Sequence, residues 1–160
     1  MRFIKSIYNH LRLKYDMTDV VFRVLFSLIF IGLGGEHIFS NQLIIKMMPS
    51  FIPELPCQIL SVLSGILLLG CGMMIAVGYQ VRMAATLLGI FLILVNLVIH
   101  GPALFYEPEG LDEQWSWLWQ VYQRSNFVKN LCLFGVCLHL INHKLGRYSF
   151  SSKVSSQANS

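Results

Sequence analysis

Residues 20–39 read VVFRVLFSLIFIGLGGEHIF. Apart from Arg23, Ser27, Glu36 and His37, every position in this run is apolar or a glycine. At 1.5 Å rise per residue, such a run makes a helix of about 30 Å, the thickness of a bilayer's hydrocarbon core. Three more runs follow, at residues 57–77, 81–99 and 127–141. The last is short and extends into Asn126 and Asn142; local thinning or an untilted helix accommodates it. Strands of this length are rare, so length selects helix. The prediction is an all-α membrane protein built as a bundle of four transmembrane helices. Composition agrees. The 160 residues are 55% hydrophobic and 12% charged, against about 25% charged in soluble domains. So few charges cannot coat a water-facing surface of ordinary size, which excludes a soluble globular enzyme, a disordered chain and a collagen-like fibre. The net charge of +4 is modest, and no basic-aromatic patch points to nucleic acid.

Orientation follows from the cations in short loops. Arg2, Lys5, Arg12 and Lys14 precede the first run, Arg82 lies between the second and third, and Lys144, Arg147 and Lys153 follow the fourth. The other side holds Lys46 and Arg124, with Lys129 at a helix start. Both termini are therefore expected in the cytoplasm. A cleaved signal peptide is a poorer reading, because the positive region ahead of the first run is about 19 residues long and Arg23 interrupts the run. The organisation expected is a cytoplasmic basic amphipathic leader over 1–19, a four-helix transmembrane domain over 20–142, and a cytoplasmic disordered tail over 143–160. In the leader, Phe3, Ile4, Ile7, Tyr8, Leu11 and Tyr15 recur at helical spacing. That suits a helix lying on the inner leaflet, and equally a charged lead-in to the span.

The outer loop carries Trp115, Trp117, Trp119 and Tyr122 behind Pro102, Pro108 and Gly110. These rings favour the headgroup zone. The expectation is a short interfacial helix in this third loop, serving either as a plain aromatic belt or as a lid over a site.

Small and polar residues recur at three-four spacing, which keeps them on one helix face. The stripes are Arg23, Ser27, Phe30, Gly34 and His37; Cys57, Ser61, Gly65, Leu68 and Gly72; Arg82, Ala85, Gly89, Leu92, Asn96 and His100; and Lys129, Cys132, Val136, His139 and His143. Small residues permit close helix approach and polar groups bond across it, so these faces are expected to turn inward.

Ionisable groups in a bilayer are expensive and face the interior. His37 lies ~26 Å along the first helix and His100 ~28 Å along the third, while Lys129 enters the fourth ~4 Å below the outer boundary. Three helices thus bring ionisable groups to one level near the outer face. Glu36 and Asn130 neighbour them, each about 100° off its stripe. The polar-pocket candidates are His37, His100, Lys129, Asn130, Glu36 and Arg23. Helix capping and snorkelling at the interface are the plainer account. Arg23 and Arg82 read first as orientation anchors on the inner side.

No CxxC or HExxH spacing signals a metal site. Cys57, Cys71, Cys132 and Cys137 read as small fillers, though Cys57 and Cys132 both lie near the outer end, where an oxidising compartment would allow pairing. A bis-histidine haem across His37 and His100 is the less favoured cofactor.

The run from Phe22-Arg23-Val24 through Gly34, Gly35, Glu36, His37, Ile38 and Phe39 resembles the first span of DoxX-like membrane proteins. Met47-Met48-Pro49 and Ile52-Pro53 resemble a proline-containing loop of some members. Ser64-Gly65 to Gly78-Tyr79-Gln80-Val81-Arg82-Met83-Ala84-Ala85 is similar to the family's second span, turn and third-span start. Phe127-Val128-Lys129-Asn130-Leu131 with Gly135 is similar to the opening of its fourth. The likeness runs from about Val20 to Asn142. The resemblance implies a four-span subunit of quinone-linked or thiol-linked redox systems, with Arg23, His37, Lys129 and Asn130 on its motifs. One departure is Leu68, where many members carry an acid.

The reading is a membrane subunit of a bacterial inner membrane that handles a redox partner, such as a quinone, near the outer face. His37 and His100 would donate or shuttle protons, Lys129 would anchor charge, and the tryptophans would form the lid. The rival is a non-catalytic anchor or assembly subunit whose Trp-rich loop docks a membrane or periplasmic protein. No complete catalytic constellation is visible, so neither a catalytic residue nor enzymatic status is assigned. A solute transporter is disfavoured by the missing inverted repeat.

Overall fold

A computed structural model describes residues 2–40 (side chains from residue 11), 56–107 and 111–150. The loop prolines at 47–53, Pro108, Gly110 and the tail past residue 150 fall outside that set, as do the leader's first side chains. The described residues contain no strand.

Helix α1 spans Arg2–Phe39 without interruption. The leader and the first span are one helix because no proline or glycine precedes Gly32 to break it. Helix α2, Cys57–Val77, starts behind Pro56. It ends at Gly78, where φ is 75° and the Tyr79 N–H returns to the Met74 carbonyl at 2.8 Å. A left-handed residue of this kind is where glycine belongs. Helix α3, Val81–Val95, runs on through a π turn at Asn96–His100, closed by the Gly101 N–H on the Asn96 carbonyl at 2.6 Å. A short 3₁₀ turn, Pro102–Leu104, follows. Helix α4 spans Glu113–Asn142.

Among the described residues, three stretches are long and apolar enough to cross a membrane: Leu11–Phe39, Cys57–Val77 and Val81–His100. Helix α4 differs from expectation. The tryptophans do not form a separate interfacial helix but occupy the first turns of α4 itself. No proline or glycine lies between Glu113 and Phe134, so the polar stretch 120–126 continues the helix instead of ending it. Those same polar residues dilute its apolar character.

All four of the described α-helices feed one core: Phe26 and Phe30 from α1, Leu68 and Ile75 from α2, Leu88 and Leu92 from α3, Cys137 and Leu140 from α4. The arrangement is inverted relative to a water-soluble protein. Arg23, Ser27, Ser61, Asn96, Gln123 and Asn130 are buried, while Leu25, Ile66, Ile90 and Leu97 are exposed. Apolar side chains outward and polar ones inward is the pattern lipid requires.

The first three stripes do turn inward, apart from exposed Arg82 at the start of the third. Helices α1 and α2 meet through glycines. A Cβ on Gly34 would stand 2.7 Å from the Leu69 backbone nitrogen, and one on Gly65 2.9 Å from the Gly34 carbonyl oxygen. The fourth stripe is corrected: Cys132 and His139 are exposed, and α4 buries Gln123, Asn130, Cys137 and Leu140. The first three of these repeat every seven residues, about one residue around from the expected face. Cys132 carries a free thiol and is not joined to Cys57.

Candidate functional site

The end of the molecule that the cation pattern leads one to expect inside (the inner end) holds a closed ionic cluster. Arg23 is 0% exposed. Its Nε donates to Asp19 Oδ2 at 3.1 Å, its Nη1 to the carbonyls of Ile75 and Ala76 at 3.2 and 3.0 Å, and its Nη2 to the Tyr148 carbonyl at 3.1 Å. The end of α2 supplies two of these acceptors because its last carbonyls lack the usual partner one turn on, the Ile75 carbonyl taking the Gly78 N–H at 3.1 Å as well. Asp19 Oδ1 lies 2.9 Å from His143 Nε2, and Asp19 Oδ2 accepts the Gly146 N–H at 3.2 Å. Asp16 Oδ1 accepts the Arg147 N–H at 3.0 Å. Tyr15 donates its hydroxyl to the Lys144 carbonyl at 3.1 Å.

This cluster fastens residues 143–150 along α1. The segment expected to be a disordered tail is therefore docked over its first eight residues, with Gly146 and Ser149 buried. Its backbone groups answer charges that the helices draw inside. Gly78 is part of the same fit: a Cβ there would lie 2.6 Å from Arg23 Nη1 and 2.9 Å from the Ser149 Cα. Arg23 is thus a structural hub, whereas Arg82 is exposed and outside the cluster. Asp16 and Asp19 were not singled out from the sequence, because the first span was started at residue 20. Their spacing with Arg23 (16, 19, 23) is the three-four signal that would have found them.

The opposite end, expected to face outward (the outer end), is built differently. His100 Nδ1 lies 2.7 Å from Oε1 of Gln123, a residue only 1% exposed. The π turn positions this imidazole: it winds the end of α3 wider, a distortion common at functional sites. Gly101 is needed there, since a Cβ would meet the Asn96 carbonyl oxygen at 2.8 Å. Deeper between α3 and α4, Asn130 Nδ2 donates to Asn96 Oδ1 at 3.1 Å, and Asn96 Nδ2 donates to the Phe127 carbonyl at 3.0 Å. Lys129 donates to Asn126 Oδ1 at 2.7 Å and stands within electrostatic range of His100. Gln123 and Asn126 were not among the sequence candidates. Gln123 lies in the stretch expected to be loop, and Asn126 at the margin of the fourth run.

His37 sits on the other helix pair. Ser61 donates to the His37 carbonyl at 3.0 Å, and its Oγ lies 3.4 Å from His37 Nδ1. Among the described residues no hydrogen bond joins His37 to His100, Lys129 or Asn130. Glu36 is exposed. The outer candidates thus form two groups: His100, Lys129 and Asn130 along the α3–α4 seam, and His37 with Ser61 between α1 and α2.

Above the seam, Ser116 and Gln120 on α4 donate to Glu107 Oε1, the latter at 2.9 Å. These two bonds hold the Glu107 carboxyl below the usual carboxylate range and tie the third loop to the first turns of α4. Trp115 and Trp117 are exposed at 50% and 62%, while Trp119 is half-buried. Spacing of two on a helix fans the rings around it. Among the described residues there is no group of three or more His, Cys, Asp or Glu side chains arranged to hold a metal ion.

A family model described as DoxX matches residues 18–101, just over half of the chain. That stretch covers the span half of α1 with Asp19 and Arg23, all of α2, and α3 through His100. No curated protein and no solved structure matches the chain.

Proposed function

The chain belongs to the DoxX family of multi-pass membrane proteins, and we propose that it is the membrane subunit of a quinone-linked redox system in a bacterial inner membrane. In this reading α4 is the fourth span, both termini lie in the cytoplasm, and the α3–α4 seam receives the headgroup near the outer face. The observation that carries it is the His100–Gln123 pair: a half-buried imidazole held by a buried amide, with the Lys129 ammonium within electrostatic range.

The donor set fits a quinone. Its carbonyls accept hydrogen bonds, and its reduced form donates them. One imidazole nitrogen of His100 is engaged by Gln123, which orients the ring and leaves Nε2 for a ligand. The Lys129 ammonium has three N–H donors and uses one on Asn126. The redox chemistry would be the quinone's own; the protein would orient the headgroup and hold or move a proton at His100 Nε2. His37, with Ser61, would play a second proton-handling role on the α1–α2 side. A thiol-linked partner is the variant of this reading in which the electrons come from a second protein.

A second reading has its own observation. Phe105, Tyr106, Trp115 and Trp117 are all exposed at the outer end of the molecule. On this reading they dock a membrane or periplasmic protein, and the chain is an anchor or assembly subunit. The deciding experiment is purification in mild detergent, followed by an absorption spectrum and lipid extraction. Extracted quinone supports the redox reading, a Soret band would replace quinone by haem, and neither favours the anchor. Reporter fusions at Gly110 and after Ser160 test the topology. Opposite compartments are expected, and a periplasmic carboxyl terminus would overturn the four-span arrangement.

A further inference from the structure

Where the α2–α3 turn meets the end of α4, the described residues form a cavity of about 380 Å³. Arg82, Lys144 and His143 line it together with Gln80, and Leu140 and Leu145 supply apolar wall. Arg82 and Lys144 are exposed, so both cations are free to turn toward a ligand. No carboxylate lines the cavity. The acids nearby are engaged elsewhere: Asp19 with Arg23, His143 and the Gly146 N–H, and Asp16 with the Arg147 N–H.

We propose that this cavity binds the phosphate of an anionic headgroup. Two residues with cationic side chains line a concave site of small-molecule size. The first turn of α3 opens on the same cavity at Val81, and its backbone N–H groups add to the positive field. The apolar wall suits the glycerol and first methylenes of a lipid, and basic pockets between spans on the cytoplasmic side are where acidic headgroups bind. A soluble phosphate shares the chemistry of recognition. The inference rests on the membrane reading and is independent of the redox reading, because the cavity lies at the opposite end of α3 from His100.

The test is thermal unfolding of the full chain in maltoside micelles, with added phosphatidylglycerol, phosphatidylcholine or inorganic phosphate. Micelles make the result independent of topology and of any quinone. Phosphatidylglycerol should raise Tm by several degrees, and phosphatidylcholine at the same mole fraction should not. The Arg82→Gln/Lys144→Gln variant should lose the shift, and Lys5→Gln/Arg12→Gln, which removes leader cations, should keep it. If inorganic phosphate gives the same shift with the same loss, the site stands and its ligand is soluble. The proposal is overturned by a wild-type Tm that no anion moves. It is equally overturned by a shift that survives Arg82→Gln/Lys144→Gln, or one that falls equally in both variants.

Discussion

At the inner end a guanidinium, two carboxylates and an imidazole close on one another and on backbone groups of α2 and the carboxyl-terminal segment. At the outer end an imidazole, an ammonium and several amides meet through single hydrogen bonds, with donors and acceptors left over. Both ends solve the same problem, which is to keep polar side chains out of lipid. They solve it with different chemistry. Arg23 makes four hydrogen bonds, to one carboxylate and three carbonyls. A charge satisfied so fully offers a ligand little and holds three chain segments together. His100 makes one such bond and Lys129 another. The most deeply buried charge is thus the least suited to chemistry here, and the half-buried groups are the ones to test for binding.

The comparison breaks most visibly at Asp19. Asp19→Ala leaves the Arg23 guanidinium buried without its carboxylate, a change that costs roughly 3–5 kcal/mol in comparable buried pairs. Unfolding in detergent should register that loss. The Asp19→Asn/Arg23→Met double variant should lose less than the two single variants added together; full additivity would mean that the pair is not coupled.

Next in size is the carboxyl-terminal segment. Ending the chain after Asn142 removes the Tyr148 carbonyl, His143 and the Gly146 N–H from the cluster. Leaving buried charged groups without such partners costs about 2–3 kcal/mol. Ending it after Phe150 keeps all three, so the two truncations should differ in thermal stability by that amount. Equal stability would show that residues 143–150 do not brace α1.

Gly34→Ala comes third. The new Cβ meets backbone atoms of α2, which cannot yield as a side chain can, and overpacking of this kind costs roughly 1–3 kcal/mol. Gly89→Ala is the control, because its nearest neighbours are Phe134 ring atoms at 3.4 Å. Similar losses at both positions would mean that α1 and α2 are no closer than α3 and α4.

The smallest effect belongs to Glu107. Its folded-state pKa is depressed by the Ser116 and Gln120 bonds. Its contribution is therefore fully present above the ordinary carboxylate pKa and is lost as pH falls through the lower, folded value. Hydrogen exchange in the first turns of α4 should quicken only in that acidic window. Exchange that is indifferent to pH there would show that the loop is not held by this carboxylate.

Much of this was legible in the sequence, and the exceptions have physical causes. The first three spans could be read because lipid imposes long apolar runs, and small-polar stripes mark their inward faces. The start of α4 could not, since a polar stretch followed by an apolar one looks the same whether the helix breaks at the junction or runs through it. That ambiguity hid Gln123 and turned the fourth stripe to the wrong face. The inner cluster was missed for another reason. Asp19 and Arg23 are adjacent turns of one helix, but the carbonyl of Tyr148 lies 125 positions away from Arg23, and no local pattern announces such a contact. At the outer end His100 was legible from depth and face, and Lys129 and Asn130 from depth alone, since the fourth stripe was expected on a different face. The split between their seam and His37 depends on which helices pair.

The proposal that the outer seam serves a ligand while the inner cluster serves the fold is decided by quinone content and Tm, measured together in purified wild-type and His100→Ala protein. The variant should lose most of its extractable quinone while Tm stays close to wild type. Quinone retained at the wild-type level, together with a clear fall in Tm, would contradict it and make His100 a structural residue like Arg23.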